Sequence, residues 1–221
     1  ECHYFIGWKD GQIEERGVES DGLTHKGSRY FIANKYQRSH RLPQFLFSEL
    51  MAEVATAALG DEVYLFHEQW VVKGPEQGMK FSWHQDSGYV KHIDPGAGNH
   101  KPYLTCWCAL DDVTEDNGTV YLLPHSRGGT KDTIIDHTKE EGSNDLVGYT
   151  GDDPGDLIEV PAGSIVCFSS LNLHRSGPNT TDNFRRVYLP QYASEVIRDS
   201  KGGQWALAEP FVRNGEIVYG K

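Results

Sequence analysis

The sequence predicts a mainly β protein, an antiparallel sandwich or jelly roll, and three observations carry that expectation. From residue 62 onward, short runs rich in Val, Ile, Tyr, Phe and Trp follow one another. Gly, Pro, Asn and Asp punctuate them at the spacing of turns, and almost no helical periodicity intervenes. The 221 residues, 38% hydrophobic and 11% aromatic, suffice to bury one sizeable core, so a single domain over residues 1–221 is expected.

The elements follow in order. Residues 43–59 put Leu46, Leu50, Val54 and Ala58 at helical spacing, with Pro43 near the start and Gly60 just past the end, which predicts the one clear helix. Strands are expected at 62–73, 79–86, 102–111, 119–123, 156–160, 164–171 and 184–192, with two short ones at 205–212 and 216–219. Asp116-Asn117-Gly118 predicts a tight hairpin, because Asn-Gly tolerates the positive φ of a primed turn. Pro161-Ala162-Gly163 predicts a turn that enters a strand. Segments 87–101 and 125–155, rich in Gly, His, Lys and Asp, are too long for ordinary connections and are expected to be lids or binding loops.

The net charge of −11 opposes nucleic acid or an anionic membrane as partner, since both need a clustered basic face. A small-molecule partner is expected instead. No uncharged run is long or apolar enough to span a bilayer, and the opening Glu-Cys-His-Tyr is neither an initiator Met nor a signal peptide, so the chain is expected to begin inside a longer protein. Cys2, Cys106, Cys108 and Cys167 lack the spacing of a zinc knuckle or redox motif and read as reduced, structural cysteines in a cytoplasmic setting. The triplets Asn117-Gly-Thr119 and Asn179-Thr-Thr181 read as unglycosylated turns.

Two His-x-Asp triplets, His84-Gln85-Asp86 and His92-Ile93-Asp94, stand eight residues apart. In a chain with ten histidines such triplets are near the chance level, so context must separate them. A metal site that activates oxygen needs two neutral imidazoles and a carboxylate on one face, with coordination positions left open. On a strand, residues i and i+2 point the same way, so His84 and Asp86 would share an inward face while Gln85 turns away. His174 is the expected third ligand, because it closes a run of one parity, Val166, Phe168, Ser170, Asn172, His174, Ser176. His92-Ile93-Asp94 runs into Pro95-Gly96 and is expected in a loop, where His92 would contact substrate. Beyond His174 the turn Ser176-Gly-Pro-Asn179 brings the next strand back, and an arginine on it would offer a planar fork to a carboxylate.

"WHQD", "WCALDDVTEDNGTVYLLPHSR" and "VPAGSIVCFSSLNLHRSGPNTTDNFRR", in that order, resemble the phytanoyl-CoA dioxygenase family of iron(II)- and 2-oxoglutarate-dependent oxygenases over about residues 30–192. The resemblance implies a double-stranded β-helix (jelly-roll, cupin-like) with flanking helices, and iron ligands His84, Asp86 and His174. It implies that Arg185, eleven residues after His174, grips the distal carboxylate of 2-oxoglutarate, with Ser176 beside it and Arg186 on the opposite face. Trp107, Gln69 and Lys35 match family positions that line or contact the cosubstrate. The implied reaction is hydroxylation of a small organic molecule by O2, with release of succinate and carbon dioxide; the carboxylate at Asp86 argues against the halogenating variant. The chain departs from the family at Pro124-His125-Ser126-Arg127, where relatives read Pro-Gly-Ser-His, and the strand and helix that usually open the family's domain are missing. Tyr89, Lys91, His92, Tyr103 and Arg127 are the substrate contacts expected from the loops. The competing readings are a cupin-type metal hydrolase or isomerase that does not use 2-oxoglutarate, and a jelly-roll binding module without catalysis.

Overall fold

The structure, a computed structural model, describes residues 4–9, 12–17, 30–75, 80–128, 130–141 and 145–220. The strands are β1 (Tyr4–Lys9), β2 (Gln12–Gly17), β3 (Tyr30–Ala33), β4 (Val63–Lys73), β5 (Phe81–His84), β6 (Leu104–Ala109), β7 (Val120–Leu123) and β8 (Thr138–Lys139). They continue with β9 (Leu146–Val147), β10 (Asp156–Leu157), β11 (Ile165–Ser169), β12 (Leu173–Ser176), β13 (Arg185–Ala193), β14 (Glu209–Arg213) and β15 (Glu216–Ile217). Helices are α1 (Leu42–Leu46), α2 (Glu49–Leu59), α3 (Asp86–Ile93) and α4 (His125–Gly128).

The large sheet runs β11-β6-β13-β4-β3-β1-β2, with β14 also paired to β4; the small sheet runs β10-β7-β12-β5. All pairings are antiparallel, and the two sheets curl into a double-stranded β-helix. Alternation along the large sheet decides what meets what. Leu104, Cys106 and Cys108 of β6, with Tyr188 and Tyr192 of β13, pack outwards on Leu46, Met51 and Ala55 of the helices. Trp107 and Ala109, with Val187, Leu189, Val71 and Phe168, face inwards towards the small sheet. β6 is therefore buried on both faces, which is why it reads as an apolar run interrupted only by Thr105.

Several expectations need correction. The single helix over 43–59 is two helices, because Ser48 turns to an extended backbone and caps α2 by accepting the Met51 amide. That break rotates the buried face: Met51 and Ala55 are buried, whereas Leu50 is 54% exposed. The strand expected at 79–86 begins, within the described residues, at Phe81 and stops at His84. The expected loop 87–101 holds most of α3 and a short 3-10 turn at Pro95–Ala97. Asn117-Gly118 is a turn with positive φ at Gly118 only, and it carries the chain from β6 in one sheet to β7 in the other instead of closing a hairpin. The primed Asn-Gly hairpin is Asn214-Gly215, both at positive φ, between β14 and β15. Asn179 is buried and spends its amide on Lys73 O, Gly74 O and Asn183 O, a structural staple. Cys2 lies outside the described residues; Cys106, Cys108 and Cys167 are free thiols. Among the described residues no helix is long and apolar enough to cross a membrane.

Candidate active site

His84 closes β5 and pairs directly with His174 of β12, with ring centroids 4.1 Å apart. Asp86 reaches them by a different route from the one expected. Gln85 is the extended residue before α3, and Asp86 is the first residue of the helix, so the turn into the helix and not the pleat aims its carboxylate. His174 also arrives differently: β11 ends at Ser169, the chain turns with Asn172 N–H donating to Ser169 O, and β12 starts in the other sheet. The run of one parity expected from Val166 to Ser176 is therefore not one strand.

The three side chains converge on a common point. Asp86 Oδ1 lies 3.8 Å from His84 Nε2 and 3.4 Å from His174 Nε2. Among the described residues no other His, Cys, Asp or Glu joins the cluster. Each imidazole has its Nδ1 against a carbonyl two residues back, His84 on Ser82 O at 2.7 Å and His174 on Asn172 O at 3.0 Å. With Nδ1 so engaged, the Nε2 atom of each ring is the one that faces Asp86. The other carboxylate oxygen, Oδ2, accepts from Thr105 Oγ1 at 2.6 Å and Gln191 Nε2 at 2.9 Å. Burial pushes the His84 imidazole down to about 3, with His174 beside it adding to the push. Burial also opposes charge on His174, but the Asp86 carboxylate outweighs it and holds that imidazole above its ordinary value. Burial would raise Asp86 as well, yet His174, His84 and Thr105 keep it ionised, well below the usual carboxylate range. Two imidazole nitrogens and one carboxylate oxygen at these separations fit a single divalent ion of about 2 Å bond length, with positions left open.

Arg185 and Lys73 are opposed across β13 and β4 on the same inward face. Both are buried. Arg185 donates Nη2–H to Gly118 O at 3.1 Å and lies 5.6 Å from the Trp107 ring centre, while its Nε and Nη1 are buried with no partner among the described residues. Burial lowers its pKa, and Asp111 opposes that only in part. Two buried guanidinium donors beside an aromatic wall fit a planar anion such as a carboxylate. Lys73 Nζ donates to Ser176 Oγ at 2.6 Å and to the carbonyls of Gly118 and Gly177. Because Ser176 Oγ accepts from Lys73, its own hydroxyl proton is left to donate. Arg186 turns outwards and pairs with Asp111.

Of the other expected residues, Gln69 is half-buried on the inward face of β4, two residues from His67. Lys35 donates its backbone N–H to Glu68 on the outward face. Half-buried Tyr89 stands edge-on to His84, centroids 5.2 Å apart. Tyr103 is instead buried in a core cluster against Phe66, 4.7 Å away. His92 is exposed on α3. Lys91 ties α3 to the following segment through Asp136 and Ile134 O. Arg127 is engaged with Asp153 and Asp156. Asp94 caps the 3-10 turn and accepts the Ser200 amide, so the second triplet is structural.

Sequence reasoning missed Lys73, His67 and Gln85. Lys73 and His67 share the parity of Gln69, and that alternation was the available signal. His67 stands opposite Gln191, on the side of the site held by Asp86 Oδ2, and burial lowers its pKa. Gln85, expected to face away, is fully buried; its amide donates to Thr133 O and Leu171 O and accepts from Ile135 N–H.

The comparison with known families decides the identity. Residues 14–187 match the family model described as Phytanoyl-CoA dioxygenase (PhyH). The chain belongs to the PhyH family. This PhyH chain is 26% identical over 191 residues to a probable alpha-ketoglutarate-dependent hypophosphite dioxygenase of Stutzerimonas stutzeri, covering 83% of the chain and 62% of that protein. It is 24% identical over 196 residues to the peroxisomal phytanoyl-CoA dioxygenase of Mus musculus, covering 84% and 56%. The chain thus spans roughly three fifths of the length of these relatives. Among solved structures, EvdO2 from Micromonospora carbonacea var. aurantiaca complexed with 2-oxoglutarate superimposes with a TM-score of 0.59 at 22% identity, covering 83% of the PhyH chain and 81% of that one. That likeness shows the jelly-roll fold.

Proposed function

We propose that this chain carries the catalytic centre of an Fe(II)- and 2-oxoglutarate-dependent oxygenase that hydroxylates a small organic molecule. The observation that carries the reading is the pairing of two polar sites on one inward surface. His84, Asp86 and His174 offer three ligand atoms within 4.8 Å of one another, and among the described residues buried Arg185 Nε and Nη1 have no hydrogen-bond partner. A metal hydrolase or isomerase would explain the first and leave the second idle.

His84, Asp86 and His174 would hold the iron, and Arg185, Ser176 and Trp107 the distal carboxylate of 2-oxoglutarate. Gln69 lies on the same face and is placed to line the cosubstrate, and Lys35 is assigned there by its family position alone. When bound, iron and 2-oxoglutarate supply the oxidising chemistry, spending O2 to give succinate, carbon dioxide and a hydroxylated product. The chain's own residues orient. Thr105 and Gln191 hold Asp86 Oδ2, which leaves Oδ1, beside the two Nε2 atoms, as the oxygen that would bind the metal. Lys73 fixes the Ser176 hydroxyl and the Gly118 carbonyl, and the latter fixes the Arg185 fork. Val71, Trp107, Val187 and Leu189 keep water from the interior between the two ends. His67 and Tyr89 are the polar groups placed to meet substrate, ahead of His92 and Tyr103. The free thiols support a reducing, cytoplasmic setting.

The test is succinate formation and O2 consumption by the purified protein given Fe(II), ascorbate and 2-oxoglutarate, together with calorimetric binding of 2-oxoglutarate to the metal-loaded protein. Metal binding without 2-oxoglutarate binding or turnover would return the site to the hydrolase reading.

A further inference from the structure

The outward face of β6 carries a sulfur pair that the oxygenase reading does not use. Cys106 on β6 and Cys167 on β11 stand directly opposite in the antiparallel ladder, with Sγ atoms 3.9 Å apart. Two bonds at the ends of that ladder fix its phase. Ser170 N–H donates to Tyr103 O at 2.8 Å, and Ala109 N–H to Ser164 O at 2.9 Å. Hydrogen-bonded pairs therefore fall at the odd-numbered positions of β6, and Cys106 with Cys167 is a non-hydrogen-bonded pair. At such pairs Cα atoms are about 4.5 Å apart and side chains come closest, inside the roughly 4.4–6.8 Å range that a disulfide spans. Cys108, two residues on, faces Ile165 and has no sulfur opposite.

Access divides the two sulfurs. β11 is the edge strand of the large sheet, and Cys167 on it is exposed, whereas Cys106 is fully buried. The hydrogen bond they share holds the Cys167 thiol below its ordinary pKa and pushes Cys106 above. One sulfur is placed to meet a reagent from solvent and the other to resolve the product.

We propose that Cys106 and Cys167 form a reversible disulfide when a peroxide reaches the β11 edge. The Cys167 thiolate attacks one peroxide oxygen and the O–O bond breaks; hydroxide leaves and takes up a proton as water, while the sulfur becomes a sulfenic acid. The Cys106 sulfur then displaces that oxygen, its S–H proton leaving with it as a second water, and the S–S bond forms. Two thiols lose two electrons and one hydrogen peroxide becomes two waters. The cross-link lies back to back with the candidate active site. Thr105 and Trp107 flank Cys106 on the inward face, and Phe168 beside Cys167 has its ring 4.8 Å from His174.

The experiment treats the purified protein with hydrogen peroxide, blocks remaining thiols and maps peptides without reduction by mass spectrometry. The expected result is a peptide pair joining Cys106 to Cys167, lighter by two hydrogens and separated again by dithiothreitol. The oxidised protein should also unfold at a higher temperature than the reduced one, because the bond closes a long loop. In Cys167→Ser both effects should vanish and Cys106 should remain a thiol. The proposal is overturned if Cys106 stays reduced in the treated wild type, if Cys167 accumulates as a sulfinic acid without a link, or if the link joins Cys167 to Cys2, Cys108 or a second molecule. Mapping of the wild type decides the matter even if the variant folds poorly.

Discussion

Gln85→Ala removes three hydrogen bonds made by a side chain with no exposure to solvent. Its Nε2 donates to Leu171 O at 2.8 Å in a buried setting and to Thr133 O at 2.9 Å, and its Oε1 accepts Ile135 N–H at 2.9 Å. Leu171 O keeps a second donor, Thr130 Oγ1 at 3.3 Å, whereas the Ile135 amide loses its acceptor. At about 1 kcal/mol for the buried bond and somewhat less for each of the other two, the loss is about 2–3 kcal/mol, or roughly 30- to 150-fold in the folding equilibrium. The effect should also be local, because these bonds pin residues 133–137 over the start of α3. Urea unfolding would read the global loss, and amide exchange at residues 130–137 the local one. His84 and His174 keep their own carbonyl partners in this variant, so metal affinity should change less than threefold, about 0.6 kcal/mol. If stability fell by under about 0.5 kcal/mol, or if exchange rose everywhere except 130–137, the clamp described for Gln85 would be wrong.

Asp86→Ala should abolish stoichiometric metal binding measured by calorimetry with little loss of helical and strand signal, while Asp94→Ala should keep metal binding and only loosen the 3-10 turn; exchange of the two outcomes would refute the site. Arg185→Gln should weaken 2-oxoglutarate binding about 100-fold, the worth of a charge-assisted fork, and leave metal affinity unchanged; equal binding by both proteins would refute the pocket. For pH, the raised His174 pKa means that the metal-free protein gains stability from the protonated imidazole below its unfolded value of 6.5 and loses it as pH rises through the folded value. Metal must displace that proton, so apparent affinity should rise about tenfold per pH unit below the His174 titration and level off above it; affinity flat across that range, by competition titration, would refute the coupling.

Strand positions were legible because alternation and turn residues are local signals: β4, β6, β7 and β11 fall within the expected runs, and β13 overruns its own by one residue, Ala193. What alternation cannot show is where a strand changes sheets. The turn at Ser170-Leu171-Asn172 preserves parity across a break, so a run that looks continuous is two strands in two sheets. Likewise, a His-x-Asp triplet reads the same whether the Asp ends a strand or begins a helix. The helix face over 43–59 was misread because Leu50 is more apolar by type than Ala55, yet the break at Ser48 resets the phase and buries the smaller residue. β1 and β2, with Asp10-Gly11 between them in sequence, carried a hairpin signal that was not used. Lys73 was hidden for a different reason. A lysine on a strand reads as solvated, and only the convergence of Ser176, Gly118 and Gly177 gives its ammonium enough acceptors to be buried.

The two imidazoles take their orientation from carbonyls only two residues back in their own strands, Ser82 and Asn172. Both of these carbonyls lie outside the segments 87–103 and 125–155, and of those segments Tyr89 alone is seen edge-on to the His84 ring. Those segments can therefore be exchanged, lengthened or recharged with the backbone anchor of each ring left in place. In this architecture the anchors of the two rings and the surrounding segments are separate parts of the chain, free to change at different rates.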